Sequence, residues 1–177
     1  MVEAETAEAE TVGAKGRECL PCTTCCHGWL YAEVLGNVLQ HGHGCPHCIP
    51  EGCGVYDIRP NEPCRTYQCS WLVENSPLPD WMRPDLSGVI VLLNVDWQGR
   101  KVITAIPAGQ TIPEKSLEWL KSYASQHKRP LLYYERISEN GEFTGLRRFA
   151  FGPPELRSLA VKLIDQNEAA LSSSGEA

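Results

Sequence analysis

Two kinds of patterning divide this chain. From about Leu86 apolar residues recur at regular intervals, whereas between Cys19 and about Glu74 they do not. Gly88–Val95 and Lys101–Ile106 read as β-strands on either side of a Trp97-Gln98-Gly99 turn. Pro113–His127 sets Leu117, Leu120 and Ala124 at helical spacing, with proline at the first helical position. Leu131–Ile137 and Glu142–Phe151 form a second strand pair around Asn140-Gly141, a favoured hairpin turn. Pro153-Pro154-Glu155 opens a last helix that carries Leu156, Leu159, Leu163 and Ile164 on one face. The order β-β-α-β-β-α predicts an α+β domain over residues 75–168: a small antiparallel sheet with two helices on one face, its topology left open.

The stretch 19–74 is dense in glycine, proline and cysteine. Leu30–Gln40 could make a short helix or an irregular apolar segment, and Gly36 weakens the helical option. Side chains alone cannot build a core from such a segment, so a crosslink is needed, and metal binding can supply that folding free energy. Residues 1–18 hold five glutamates and two basic residues and read as a disordered acidic tail. Residues 169–177, with Ser172-Ser173-Ser174-Gly175, read as a frayed end.

Length and composition bound the rest. The 177 residues suffice for one compact domain, or for a small module on a modest one. With 42% hydrophobic and 21% charged residues, wholesale disorder is excluded. The longest apolar run, Val89–Leu93, is far short of the roughly 20 residues of a membrane helix, so no membrane partner is expected. The opening Met1-Val2-Glu3-Ala4-Glu5 is acidic and lacks an apolar stretch, so a cytoplasmic location is expected. A net charge of −6 argues against phosphate-backbone binding, and residues 19–74 hold two arginines, no lysine and five acidic residues. Lys128-Arg129 and Arg147-Arg148 are short basic patches that read as solvated faces, so nucleic acid is not an expected partner.

The cysteines change the picture. All nine lie between Cys19 and Cys69, together with His27, His41, His43 and His47, four of the five histidines. In a reducing compartment such a cluster points to metal rather than disulfides, and an odd number would leave one thiol over. Cys19-Leu20-Pro21-Cys22-Thr23-Thr24-Cys25-Cys26 contains two C-x-x-C spacings in series, each able to turn two thiolates toward one tetrahedral ion. The same spacing opens ferredoxin-type cluster motifs, so zinc and an iron–sulfur cluster both stay open. A thiol redox role for Cys22 or Cys25 would need a thioredoxin-like setting, which the flanks do not show. No Ser/His/Asp set, phosphate loop or dinucleotide fingerprint occurs after residue 74, and His127 reads as a helix-end residue favoured by the dipole.

The second half of the block runs Cys45-Pro46-His47-Cys48, Cys53-Gly54-Val55-Tyr56, Arg59-Pro60 and Cys64-Arg65-Thr66-Tyr67-Gln68-Cys69. The run C-x-x-C-x-x-C-C, then C-P, C-x-x-Y-x-x-R-P and C-R-x-Y-x-C, resembles the YkgJ-type family over about Cys19 to Trp71. That family is described as a zinc- or iron-chelating domain with eight cysteines. The resemblance implies Cys19, Cys22, Cys25, Cys26, Cys45, Cys53, Cys64 and Cys69 as ligands, and zinc or iron, including an iron–sulfur cluster, as cofactor. Cys48 departs from the pattern, and is either a ligand in its own right or a free structural thiol.

Eight thiolates could hold two zinc ions, or one four-iron cluster plus a zinc. Burying their surplus negative charge needs compensation. Arg59 and Arg65 are the only non-histidine cations between Cys19 and Glu74, and are expected to neutralise that charge or to anchor the loop through backbone carbonyls. The histidines are expected in loop or supporting roles, and Tyr56, Tyr67 and Trp71 over the metal core. Three functions compete. One is a structural metal with the α+β domain as an interaction module for a protein partner. Another is an iron–sulfur-dependent redox or transferase-type enzyme, since flagellin lysine methylases look like distant carriers of similar cysteine patterns. The third is metal storage or delivery.

Overall fold

In the structure, a computed structural model describing residues 16–97 and 99–152, a four-stranded sheet carries the main core and the cysteine block packs beside it. The expected last helix over Leu156, Leu159, Leu163 and Ile164 lies outside the described residues, as do residues 1–15 and the expected frayed end.

The cysteine block is held by short pieces. Strands β1 (Ala32–Val34) and β2 (Asn37–Leu39) form an antiparallel hairpin, and β3 (Cys48–Ile49) and β4 (Gly52–Cys53) form a second. Leu30–Gln40 is therefore neither helical nor irregular. Leu35 and Gly36 both have positive φ, 49° and 80°, the backbone of a tight two-residue hairpin turn. The Asn37 side chain donates to the carbonyls of Val34 and Leu35 at 3.4 and 3.2 Å, which helps a leucine occupy that conformation. Leu30, Val34 and Leu39 are the buried aliphatics here, with Cys26, Cys45, Cys64 and Tyr67 packed on them. Three aliphatic side chains at roughly 1.5–3 kcal/mol each are a slender core for this much irregular backbone.

The α+β pattern of the second half is present. A short helix α1 (Pro84–Ser87) leads into β5 (Val89–Trp97), which pairs antiparallel with β6 (Arg100–Pro107). Helix α2 (Glu114–Gln126) follows, with Pro113 at its N-cap rather than inside it. Ser116, Leu120 and Ala124 form its buried stripe, and the Ser116 hydroxyl donates to the Ser87 carbonyl at 2.7 Å. Strands β7 (Leu131–Glu139) and β8 (Glu142–Phe151) pair around Asn140 and Gly141, whose φ values of 53° and 85° are those expected of the turn.

One expectation is corrected. The sheet is mixed, not antiparallel, because β6 and β7 run parallel with Ile103 opposite Leu131, and the strand order is β5-β6-β7-β8. The α2 crossover returns the chain to the same end of the sheet, as a β-α-β connection requires. Val89, Val91, Leu93, Ile103, Ala105 and Leu131 meet Leu120 and Ala124 in the core, and Leu78 and Met82 from the preceding loop fill it.

Three seams join the halves. Residue 17, within the stretch read as a tail, is docked: its guanidinium donates to the carbonyls of Trp71 and Leu78 at 2.9 and 2.8 Å and meets Asp80 at 2.7 Å. Just after Cys69, the Ser70 amide donates to Val91 O at 2.8 Å and its hydroxyl accepts from the Leu93 amide at 2.6 Å, along the outer edge of β5. At the far side, Arg136 on β7 lies over the rings of Trp29 and Phe143, at 4.8 and 5.4 Å.

Gly42 closes this last seam. Its φ is +85°, and a Cβ there would stand 2.5 Å from Phe143 Cβ. Gly42→Ala is therefore expected to destabilise the protein by about 1–3 kcal/mol through overpacking and backbone strain. Urea unfolding measures this, and a variant as stable as the parent would mean that Phe143 does not seat on the block.

Candidate metal centre

The segment before the first hairpin places four thiols between residues 19 and 26. A 3-10 turn over Thr24–Cys26 follows Cys19 and Cys22 and turns the adjacent Cys25 and Cys26 into the block's interior. Cys45 is pinned to this turn by its amide, which donates to the Cys26 carbonyl at 2.8 Å. The β3–β4 register sets Cys48 opposite Cys53. Cys64 comes from an irregular helical turn over Asn61–Arg65, and Cys69 from the strand-like exit toward β5.

These thiols surround two adjoining cavities. The larger is lined by Cys19, Cys22, Cys25, Cys26, Cys45, Cys48, Cys53 and Cys64. The smaller, about 360 Å³, is lined by Cys19, Cys22, Cys25 and Cys69. Tyr67 borders both. All nine cysteines are free thiols. Among the described residues, no group of three or more His, Cys, Asp or Glu side chains is assembled so that it could hold a metal ion.

The electrostatics follow from this crowding. Burial pushes the Cys19 thiol up to about 11, reinforced by Cys22, Cys26 and Cys69 and opposed by Arg59. The neighbouring Cys25 thiol raises Cys26 most, followed by burial, while Cys48 and Arg59 pull it back. Burial takes Cys48 up to about 12, with Cys26, Cys45 and Cys53 adding and the Thr23 hydroxyl opposing. Cys64 is raised by burial and by the same three thiols, and Cys69 chiefly by burial. With their values raised, these groups hold their protons near neutral pH, so a metal would have to displace them.

The two arginines divide the work expected of them. Arg65 is an anchor: its Nε donates to the Arg59 carbonyl at 3.1 Å and its Nη2 to the Asp57 carbonyl at 2.8 Å. Arg59 lines the larger cavity, with its guanidinium 3.6 Å from the Tyr56 ring centroid. Its buried Nε has no hydrogen-bond partner among the described residues. Tyr56 and Tyr67 line the larger cavity, whereas Trp71 lines the smaller one and packs into the sheet core under the Arg17 guanidinium.

None of the four histidines lines either cavity. His27 Nε2 lies 3.4 Å from the Thr23 hydroxyl, His41 packs its edge on Trp29, and His43 sits in its own loop. His47 lies 3.3 Å from the Asn37 amide. His127 caps α2 and packs on Tyr123, as a helix-end residue would.

Comparisons with known proteins found no matching family, no matching curated protein and no matching solved structure. The family resemblance thus rests on the sequence motifs between Cys19 and Cys69. Among the described residues, no helix is long and apolar enough to cross a membrane.

Some neighbours of the thiols carried no signal in the sequence. The Thr24 hydroxyl lies 3.5 Å from Cys22 Sγ, and Arg83 reaches the smaller cavity while paired with Asp85 at 2.6 Å. The hydroxyls of Thr23 and Thr24, set between two cysteine pairs, could have been read as sulfur partners. Arg83 could not, because it stands fourteen positions beyond the last cysteine in an unpatterned loop.

Proposed function

We propose that this chain is a cytoplasmic metal-binding protein that chelates zinc or iron, the latter including an iron–sulfur cluster, through its eight or nine clustered cysteines. The observation that carries this reading is that all nine free thiols border one of two adjoining cavities. The donor chemistry fits: thiolate sulfur selects zinc and iron–sulfur centres over hard cations. Cys19, Cys22, Cys25, Cys26, Cys45, Cys53, Cys64 and Cys69 would hold the metal, with Cys48 beside them, and the bound ion would crosslink an irregular block. Tyr67 and Tyr56 exclude water from the sulfurs, Arg59 balances their charge, and Arg65 fixes the loop that presents Cys64. The larger cavity favours a second reading, because eight thiols line it, more than one tetrahedral ion needs. There a redox or transferase-type iron–sulfur enzyme would fit, with metal delivery and a protein partner on the α+β part as further alternatives.

The test is anaerobic purification with absorption spectra and metal analysis taken together. A colourless protein with stoichiometric zinc supports the structural reading, and a brown one with iron and sulfide supports the cluster. Stoichiometric absence of both overturns the proposal. Cys64→Ser is expected to lower the metal content and the melting temperature together, since serine is nearly isosteric but a poor ligand for a soft metal. Full metal retention in that variant would remove Cys64 from the ligand set.

A further inference from the structure

We infer that the nine thiols form two separate four-thiolate centres, one at each cavity, and that Cys48 is a fifth thiol of the second centre that can exchange with Cys53. The inference rests on the metal-binding reading above and adds to it which thiol serves which ion.

The partition follows from which sulfurs line the smaller cavity and which do not. Cys69 lines the smaller cavity alone of the pair Cys64 and Cys69, and the thiol bearing on it is Cys22. Cys19 is faced by Cys22, Cys26 and Cys69; Cys19, Cys22 and Cys25 line both cavities, and with Cys69 they are the four thiols that line the smaller one. Across the block, Cys48 and Cys64 are each faced by the same three thiols, Cys26, Cys45 and Cys53. None of those five reaches the smaller cavity. Tyr67 stands between, bordering both spaces, and its hydroxyl is held up by burial and by Cys25, Cys69 and Cys26. The adjacent Cys25 and Cys26 are thus where one chain segment serves two centres.

The first group has four thiols for four tetrahedral positions, and the second has five. The surplus lies on the β3–β4 hairpin, where Cys48 and Cys53 are directly opposed, so their side chains project to the same face and compete for one position. Gly54 N–H donates to the His47 carbonyl at 2.9 Å and fixes this register. Either sulfur can therefore complete the second centre with Cys26, Cys45 and Cys64. Ligation would draw each group of thiols inward, releasing their protons and leaving the other sulfur of the hairpin pair free.

The experiment loads the full metal-free chain anaerobically with cadmium enriched in the spin-½ isotope and records metal content and cadmium NMR. Two ions per chain are expected, with two resonances in the all-thiolate range and no metal–metal coupling. Coupling between the resonances, or three ions per chain, would mean sulfur-bridged metals and would overturn the two-centre assignment. Cys69→Ser and Cys64→Ser are each expected to lose one ion, a different resonance in each case, and the double variant both. Loss of the same resonance in both would overturn the partition. Cys48→Ser and Cys53→Ser are each expected to keep both ions, whereas the double variant keeps only the resonance of the first centre. Loss of an ion from either single variant would overturn the exchange. No stoichiometric binding to the parent chain would instead sink the metal-binding reading itself.

Discussion

Lowering the pH by one unit is expected to weaken the hold on each bound ion by about tenfold for every thiol that takes up a proton, so roughly 10,000-fold for a four-thiolate site. The sign follows from the raised thiols. Burial and mutual repulsion raise Cys19 to about 11 and Cys48 to about 12, and Cys26, Cys64 and Cys69 move the same way. Near neutral pH each of these sulfurs carries its proton before metal arrives, and each ligation expels one. Competition with a chromophoric chelator across the neutral range measures the slope, and a flat profile would mean that thiols are not the ligands. The metal-free chain should show the opposite trend. A thiol whose value is raised on folding contributes stability that is complete below the unfolded value, about 8.5. That stability is lost as the pH climbs from there through the raised values of Cys19 and Cys48. Thermal melts of the stripped protein should therefore fall in alkali, while the loaded protein holds.

Arg59→Ala is expected to weaken metal binding by roughly 10–100-fold, the usual cost of losing a supporting group beside the ligands. Its guanidinium favours the thiolate form of Cys19, Cys26 and Cys64, and its Nε is buried without a hydrogen-bond partner among the described residues. Arg59→Lys should restore part of the affinity, because it keeps the charge but loses the stacking on Tyr56. Arg65→Ala should act differently, lowering stability through the loss of its bonds to the carbonyls of residues 57 and 59. Equal affinity losses in the two alanine variants would show that loop order, not charge, governs binding.

Strands β5 to β8 and helix α2 were legible because alternation, the helical spacing of Leu120 and Ala124, and the Asn140-Gly141 turn each point to one local structure. The parallel pairing of β6 with β7 was not, since direction is set by how the crossover packs, and no local residue encodes it. The Leu35-Gly36 turn was missed for a different reason: leucine rarely adopts positive φ, and it does so here with the help of Asn37, two positions on. At the site, the spacing identified the thiols but could not group them. Cys25 and Cys26 are neighbours in sequence, yet Cys25 lines both cavities and Cys26 only the larger, whereas Cys22 and Cys69 come together from distant positions. The division of labour between Arg59 and Arg65 was likewise invisible, because both stand in the same irregular loop and only their partners differ.

Strand β5 lies at the margin of the sheet, and the residue after Cys69 occupies part of its outer rim through the bonds of Ser70 to Val91 and Leu93. A bare strand margin is a template for pairing with another chain, and this segment masks it. Its hold depends on the cysteine block staying folded, because Cys69 belongs to both. If the block holds metal as proposed, losing it would do more than loosen a loop. It would uncover a hydrogen-bonding margin beside Val91 and Leu93, so the first visible sign of metal starvation would be self-association of the chain rather than loss of its sheet.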